Sequence, residues 1–388
     1  MNQDPMLCVM LTPQSKYFGS GHTTGFQIFS SSSKPEQLLT RFLKGTGVRL
    51  LSSLDTSSIF AIVGDGQSPD FKPNKVILWD DLHLQTVLEL EFPSNIYNLR
   101  LFGSHLFIVT KKKIYMINFN EATIDRVFDH ESPRMSKNKG FFDICEISVS
   151  HILFAYPNHK SKTIHITNLA NKEFDWELGY NARSIQILKF NADATWIACV
   201  TDKKIVSIYD LIRKGRVQHF KHVNSVVCLD ISGDNSMLGT VSKSGNVKFF
   251  SIIFDPNSKQ LKEQVKQIKA FASYRIAKSK YVCSFNSDNQ FTIVSLNGIL
   301  TKITLSASLK DIESVESYNF LQINQKKITN NGNLKKNEKE KHSSEKMESK
   351  SNNSNGGDEI QKEEKIELVI NNQKNKTKTE KENDGEEK

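Results

Sequence analysis

The sequence predicts an all-β fold: a seven-bladed WD40-type β-propeller over residues 1–321, followed by a disordered Lys/Glu/Asn-rich tail over residues 322–388. Three observations carry that prediction. Short apolar runs rich in β-branched and aromatic residues recur along the chain, each bounded by Asn, Asp, Gly or Ser, which is the signature of strands. Within residues 181–252 these runs form two like units set about 41 residues apart, the period of a propeller blade. Beyond Leu321 the composition changes abruptly to Lys, Glu, Asn and Ser.

The two central units show the pattern most plainly. The first has runs at 185–190, 196–200 and 206–209, with Asn191-Ala192-Asp193 as its first turn. The second repeats it at 226–231, 237–241 and 247–250, with Ser232-Gly233-Asp234 in the same place. Four further units precede them, at 6–30, 47–81, 96–119 and 142–169, and one follows at 281–303. Trp79-Asp80 is the single WD dipeptide, and 87–92 reads as a fourth, outer strand of its blade. Seven such units closed in a ring remove the sheet edges that would otherwise aggregate. Residues 326–388 hold almost no apolar residues beyond 366–370, too few to offset the entropy of ordering them. The patch Ile366-Glu367-Leu368-Val369-Ile370 reads as a chance cluster in preference to a docking peptide.

The bulk numbers narrow the function. A chain of 388 residues is long enough for one large repeat domain. The net charge of +9 favours anionic partners without choosing between nucleic acid, membrane and acidic protein. Cys8, Cys145, Cys199, Cys228 and Cys283 are odd in number and lie within or beside strand runs, as buried thiols of a reducing compartment do. No CxxC pair or Cys/His cluster points to a metal. The N-terminus lacks the basic and apolar regions of a signal peptide, and no apolar run nears the ~18 residues of a membrane span. A soluble, cytoplasmic protein is expected.

Nothing argues for an enzyme or a cofactor. His22, His151, His159 and His165 have no Ser, Cys or carboxylate at motif spacing. Asp80-Asp81 closes a blade strand and reads as a structural turn. Gly64-Asp65-Gly66 is a turn and not a phosphate loop, because no helix-forming segment follows. Lys111, Lys112 and Lys113 read as a solvated turn in preference to an RNA or lipid contact.

Four segments carry a family resemblance. Residues 72–81, KPNKVILWDD, are similar to the PPNKVxIWDD-type segment of the PROPPINs, the phosphoinositide-binding propellers of autophagy. Residues 20–30, SGHTTGFQIFS, are similar to that family's GTxxGFxIYN-type segment, and 113–119 and 153–158 match in the same order. The resemblance covers residues 6–320 and implies a scaffold that binds phosphatidylinositol 3-phosphate or its 3,5-bisphosphate. It implies recruitment to preautophagosomal, endosomal or vacuolar membranes, and autophagy-related protein partners that include a lipid-transfer protein docked at the second blade. No nucleic acid enters.

The family's FRRG motif looks replaced here by Phe220-Lys221-His222-Val223. A guanidinium makes paired, charge-assisted bonds to phosphate; Lys221 keeps the charge without the fork, and an imidazole at His222 is only partly protonated at pH 7. Around the first of the family's two pockets the resemblance aligns Asn181, Thr201, Lys204 and Ser207; around the second, Ser242, Asn246 and Lys248. The first pocket has lost its best phosphate ligands, whereas the second keeps a hydroxyl and an amine. The candidate phosphoinositide-binding residues are therefore Lys221, His222, Ser242, Lys248, Thr201 and Lys204.

The family's membrane-dipping loop corresponds to residues 253–273. There Leu261, Val265, Ile268 and Phe271 fall at near-helical spacing with Lys259, Lys262, Lys266 and Lys269 around them, a basic amphipathic pattern suited to anionic lipid. The alternative is a helix packed on its own propeller. Two functional classes thus stand: a lipid-reading scaffold, and a protein-interaction propeller that has lost phosphoinositide binding.

Overall fold

Runs such as Phe60-Ala61-Ile62-Val63 and Ile197-Ala198-Cys199-Val200 show no polar alternation because they lie inside sheets that are covered on both faces by neighbouring sheets. The computed structural model describes residues 4–43, 45–130, 142–158, 160–171, 175–180, 182, 184–213, 215–221, 224–252, 269–287, 289–306, 311–323 and 367–369. They form a seven-bladed β-propeller, each blade an antiparallel sheet whose first four strands are consecutive in the chain.

Blade one holds β1 (Met6–Leu11), β2 (Tyr17–His22), β3 (Gly25–Ser30) and β4 (Gln37–Phe42). Blade two holds β5 (Val48–Ser53), β6 (Ile59–Gly64), β7 (Lys75–Asp80) and β8 (Gln85–Glu91). Blade three holds β9 (Asn98–Phe102), β10 (His105–Val109), β11 (Lys113–Asn118) and β12 (Thr123–Asp129). Blade four holds β13 (Asp143–Ser148), β14 (His151–Asn158), β15 (Thr163–Asn168) and β16 (Asp175–Gly179). Blade five holds β17 (Ile185–Phe190), β18 (Trp196–Thr201), β19 (Ile205–Asp210) and β20 (Gly215–Lys221). Blade six holds β21 (Val226–Ile231), β22 (Met237–Ser242), β23 (Asn246–Ser251) and β24 (Ala272–Arg275). Blade seven holds β25 (Tyr281–Phe285), β26 (Gln290–Ser295), β27 (Ile299–Leu305) and β28 (Ile312–Asn319).

The core is divided between the blades. Seven apolar clusters are found among the described residues, and each joins two adjacent blades. At the seam of blades five and six, for example, the rings of Phe220 and Phe250 meet at 4.7 Å, tilted by 48°. Burial of such a side chain contributes about 1.5–3 kcal/mol. The ring closes between blades seven and one through side chains, with no strand exchanged. Phe18, Phe29 and Phe320 meet there at centroid distances of 5.0–5.2 Å. Lys302, buried on β27, donates to the carbonyls of Ser31 and Ser32 at 2.6 and 2.7 Å.

A polar chain runs across the innermost strands. Arg100 on β9 pairs with Asp143 on β13 at 2.5 Å, and the amide of Phe190 on β17 donates to the same carboxylate at 2.8 Å. Ser52 on β5 accepts the amide of Leu101 on β9 at 3.0 Å. These bonds tie blade two to three, three to four and four to five. Asp80 and Asp81 hold the structural place expected of them. Asp80 accepts from the Ser58 hydroxyl and the Leu82 amide, both at 2.9 Å, and Asp81 accepts from Arg41 of blade one at 2.9 Å.

Two expectations need correction. Of the outermost strands only β8 is foreseen by the sequence; β4, β12, β16, β20, β24 and β28 are not. They lie at the rim and carry polar residues, as in Ile312–Asn319, where the last residues of the ring show no apolar run. In the tail, Glu367–Val369 forms a short strand, β29, paired antiparallel to β8 as the fifth strand of blade two. The patch expected to be a chance cluster is therefore seated on the propeller. The rest of the tail expectation lies outside the described residues.

Candidate functional site

Blades five and six repeat one construction, and the site is built where they meet. In each, the second strand runs into a tight turn before the third. Lys204 N–H donates to the Thr201 carbonyl at 3.0 Å, and Gly245 N–H to the Ser242 carbonyl at 2.9 Å. Both turns need a positive φ, 62° at Lys204 and 85° at Gly245. Gly245 meets that demand without strain, and a Cβ there would collide with the backbone oxygen of Ile276. Lys204 adopts it as a non-glycine residue, at a cost of roughly 1 kcal/mol.

The blade-six turn gathers a polar cluster. Ser242, fully buried at the end of β22, shares a hydrogen bond of 3.0 Å with the Ser244 hydroxyl and accepts the Asn246 amide at 3.1 Å. Asn224, on the chain arriving from blade five, donates its side-chain amide to Ser244 at 2.9 Å, and the Asn246 side chain does so at 3.3 Å. Ser244 is thus the hub, half-buried and touched from both sides of the seam. Lys248 lies two residues beyond Asn246 on β23, half-buried, in register with Thr240 and Ser273. Hydroxyls, carboxamides and an amine at one turn are the donor set that a phosphate monoester accepts from.

The blade-five turn is poorer. Thr201 is buried, with its hydroxyl directed at the Ile205 carbonyl at 3.4 Å, and Lys204 is exposed on the turn. Ser207, buried, holds the strand position that Lys248 holds one blade later: Ser207 pairs with Cys199, and Lys248 with Thr240. Opposite Ser207 on β20 stands His219, whose pKa is lowered by burial and by the neighbouring Arg216. An uncharged imidazole and a hydroxyl stand where the sister blade presents an amine.

Lys221 ends β20, in register with Ile205, and so sits beside the Thr201–Lys204 turn. His222 and Val223, like Asn181, lie outside the described residues. The sequence reading missed Asn224 and Ser244. The signal present was the hairpin Ser242-Lys243-Ser244-Gly245-Asn246, whose alternating small polar residues expose hydroxyls on one side of a turn.

The expected membrane element fares differently. Leu261, Val265 and Ile268 lie outside the described residues. Phe271 packs against the propeller. It is half-buried, its amide bonds the Phe249 carbonyl at 3.0 Å, and its ring faces that of Phe249 at 6.4 Å within the core of blades six and seven. Among the described residues no helix is long and apolar enough to cross a membrane, and no group of three or more His, Cys, Asp or Glu could hold a metal ion.

A ring of seven antiparallel blades, six of four strands and one of five among the described residues, makes the chain a β-propeller of the WD40 type. No family model matches it. Its sequence is 23% identical to autophagy-related protein 18e of Arabidopsis thaliana over 298 residues, 72% of this chain and 78% of that protein. It is 26% identical to SVP1-like protein 2 of Schizosaccharomyces pombe over 248 residues, 61% of this chain and 64% of the relative. The fold is similar to Hsv2 of Kluyveromyces lactis, with a TM-score of 0.66 at 12% identity over 82% of this chain and all of that one. It is also similar to KlAtg21 solved with the coiled-coil of AgAtg16, with a TM-score of 0.64 at 16% identity over 81% and 99% of the two chains. In sequence and in fold the chain is thus similar to the PROPPIN propellers.

Proposed function

We propose that this propeller is a scaffold that reads phosphatidylinositol 3-phosphate or its 3,5-bisphosphate on cytoplasmic membrane faces and recruits autophagy proteins there. The observation that carries the reading is the Asn224–Ser242–Ser244–Asn246 cluster with Lys248 on the adjoining strand. Phosphate oxygens would take over the hydroxyl and amide donors that now bond one another, and the lysine would supply charge-assisted attraction. The membranes are preautophagosomal, endosomal or vacuolar. Protein partners are supported by the relative solved with a coiled coil, and a lipid-transfer partner at the second blade belongs to the same reading.

Flotation of the full chain with vesicles tests it. Vesicles carrying phosphatidylinositol 3-phosphate or 3,5-bisphosphate should lift the protein, and vesicles with unphosphorylated phosphatidylinositol should not. A chain that floats with none of them sinks the lipid reading.

A second reading is a protein-interaction scaffold without lipid specificity. Ser207 at the place of Lys248, and Phe271 turned into the core, favour it. Under it the chain would still capture its protein partners in the absence of vesicles.

A further inference from the structure

Among the rim strands described, β8 carries a further strand on its outer edge. Its residues alternate, with Leu88 and Leu90 buried and Val87 and Gln85 exposed. By contrast β12 and β28 bury no residue along their length. On the far side of β8 the backbone edge faces outward, and there Glu367–Val369 pairs with it: Glu367 opposite Glu91, Leu368 opposite the buried Leu90, Val369 opposite Glu89. Within a tail of Lys, Glu, Asn and Ser, the strand falls in the single apolar patch, 366–370. Register matches the one leucine of the strand to a leucine of the edge.

The charges around the pair are also matched. An acidic residue set across from Glu91 would be repelled. Glu91, however, is paired with Lys72 at 3.0 Å, and Glu89 with Lys75 at 2.5 Å, so the edge carries its own counter-charges. We propose that the outer edge of the second blade is a strand-docking site and that the chain's own Glu367–Val369 occupies it in cis as a reversible latch. Three paired residues are too few to hold by themselves. They stay because the tether keeps the strand at high effective concentration beside the edge, and a strand so held is easily displaced. Strand addition supplies affinity through main-chain bonds and specificity through the side-chain register. The latch therefore guards a surface that an extended segment with one apolar residue at the Leu90 position would otherwise take.

Hydrogen exchange on the full chain tests the latch, since Val369→Pro removes an amide that faces Glu89 of β8 without touching the ring. Amides of Glu89 and Glu91, which face the docked strand, should exchange at least about tenfold faster in Val369→Pro than in the native chain, while those of Leu90 and Ile59–Gly64 stay unchanged. Leu368→Asp should act in the same direction. A synthetic peptide of residues 363–372, added to the Val369→Pro chain, should restore the protection. Unchanged exchange at Glu89 and Glu91 in both variants would overturn the proposal. So would protection in the native chain that falls on dilution, because that would place the strand in trans on a second copy.

Discussion

Lys189 on the inner strand of blade five holds its ammonium 3.2 Å from the carboxylate of Asp230 on the inner strand of blade six. Asp230 also accepts the Phe285 amide at 2.9 Å and the Ser284 hydroxyl at 2.8 Å, so three blades meet on one side chain. Attraction to Asp230 holds the Lys189 pKa above its ordinary value, against the opposing effect of burial. Replacing Asp230 by Ala strands a cation and an amide together and should cost about 3–5 kcal/mol in denaturant unfolding. Asp230→Asn keeps an acceptor and should cost less. A loss below about 1 kcal/mol for the alanine variant would show the bridge to be idle. Because the folded lysine pKa is raised, this stabilisation is complete below about pH 10 and is lost as pH rises through the folded value. The native chain should therefore lose stability in strong alkali that Asp230→Ala has already lost.

Acid should weaken the ring by another route. His22, His130 and His219 all have pKa values lowered, in each case chiefly by burial. The unfolded chain takes up protons near the ordinary histidine value of about 6.5, whereas the folded chain resists. The stability they contribute is present above that value and is lost as pH falls through it toward the lower folded values. The melting temperature should drop between pH 7.5 and 5, and His130→Gln should flatten part of the drop. A flat profile in the native chain would count against this account.

Phe271 separates a core role from a membrane role. With its ring against Phe249, Phe271→Ala should destabilise the propeller by about 1–3 kcal/mol and leave any vesicle binding of the folded chain unchanged. Lost flotation at an unaltered melting temperature would restore the residue to the membrane.

At the seam, Ser244→Ala removes the hub of the polar cluster and Lys248→Ala removes its charge. Each should weaken binding to phosphatidylinositol 3-phosphate vesicles, by several-fold or more for the lysine, since charge-assisted bonds contribute about 1.5–3 kcal/mol. Lys221→Arg combined with His222→Arg should strengthen it. Equal binding by all four proteins would place the phosphate elsewhere.

The fold was legible because its middle strands are sandwiched between neighbours and so read as unbroken apolar runs. The runs at 196–200 and 237–241 fall within β18 and β22. Rim strands such as Gly215–Lys221 were not, because a strand with one face in water takes its identity from pairing and not from composition. Of the site, Ser242 and Lys248 were readable through the resemblance. Asn224 and Ser244 were hidden, since their meaning lies in a contact between two blades that no local pattern records. Phe271 meets the same limit: helical spacing with Leu261 and Ile268 cannot tell a face turned to lipid from one turned to a neighbouring blade. The patch around Leu368 read as a chance cluster because nothing local to it records the strand edge at Glu89–Glu91 with which it pairs.

The ring closed by Phe18, Phe29 and Phe320 has a consequence for biosynthesis. The first blade emerges from the ribosome with these two aromatic rings uncovered, and their cover is encoded some three hundred residues later. At a translation rate of about 5–20 residues per second, the gap lasts roughly 15–60 s. No early strand is held back to be clasped by the last blade, so only the aromatic packing and the Lys302 bonds to Ser31 and Ser32 mark the correct partner. During that interval a nascent chain on one ribosome can be completed by the seventh blade of its neighbour on the same message.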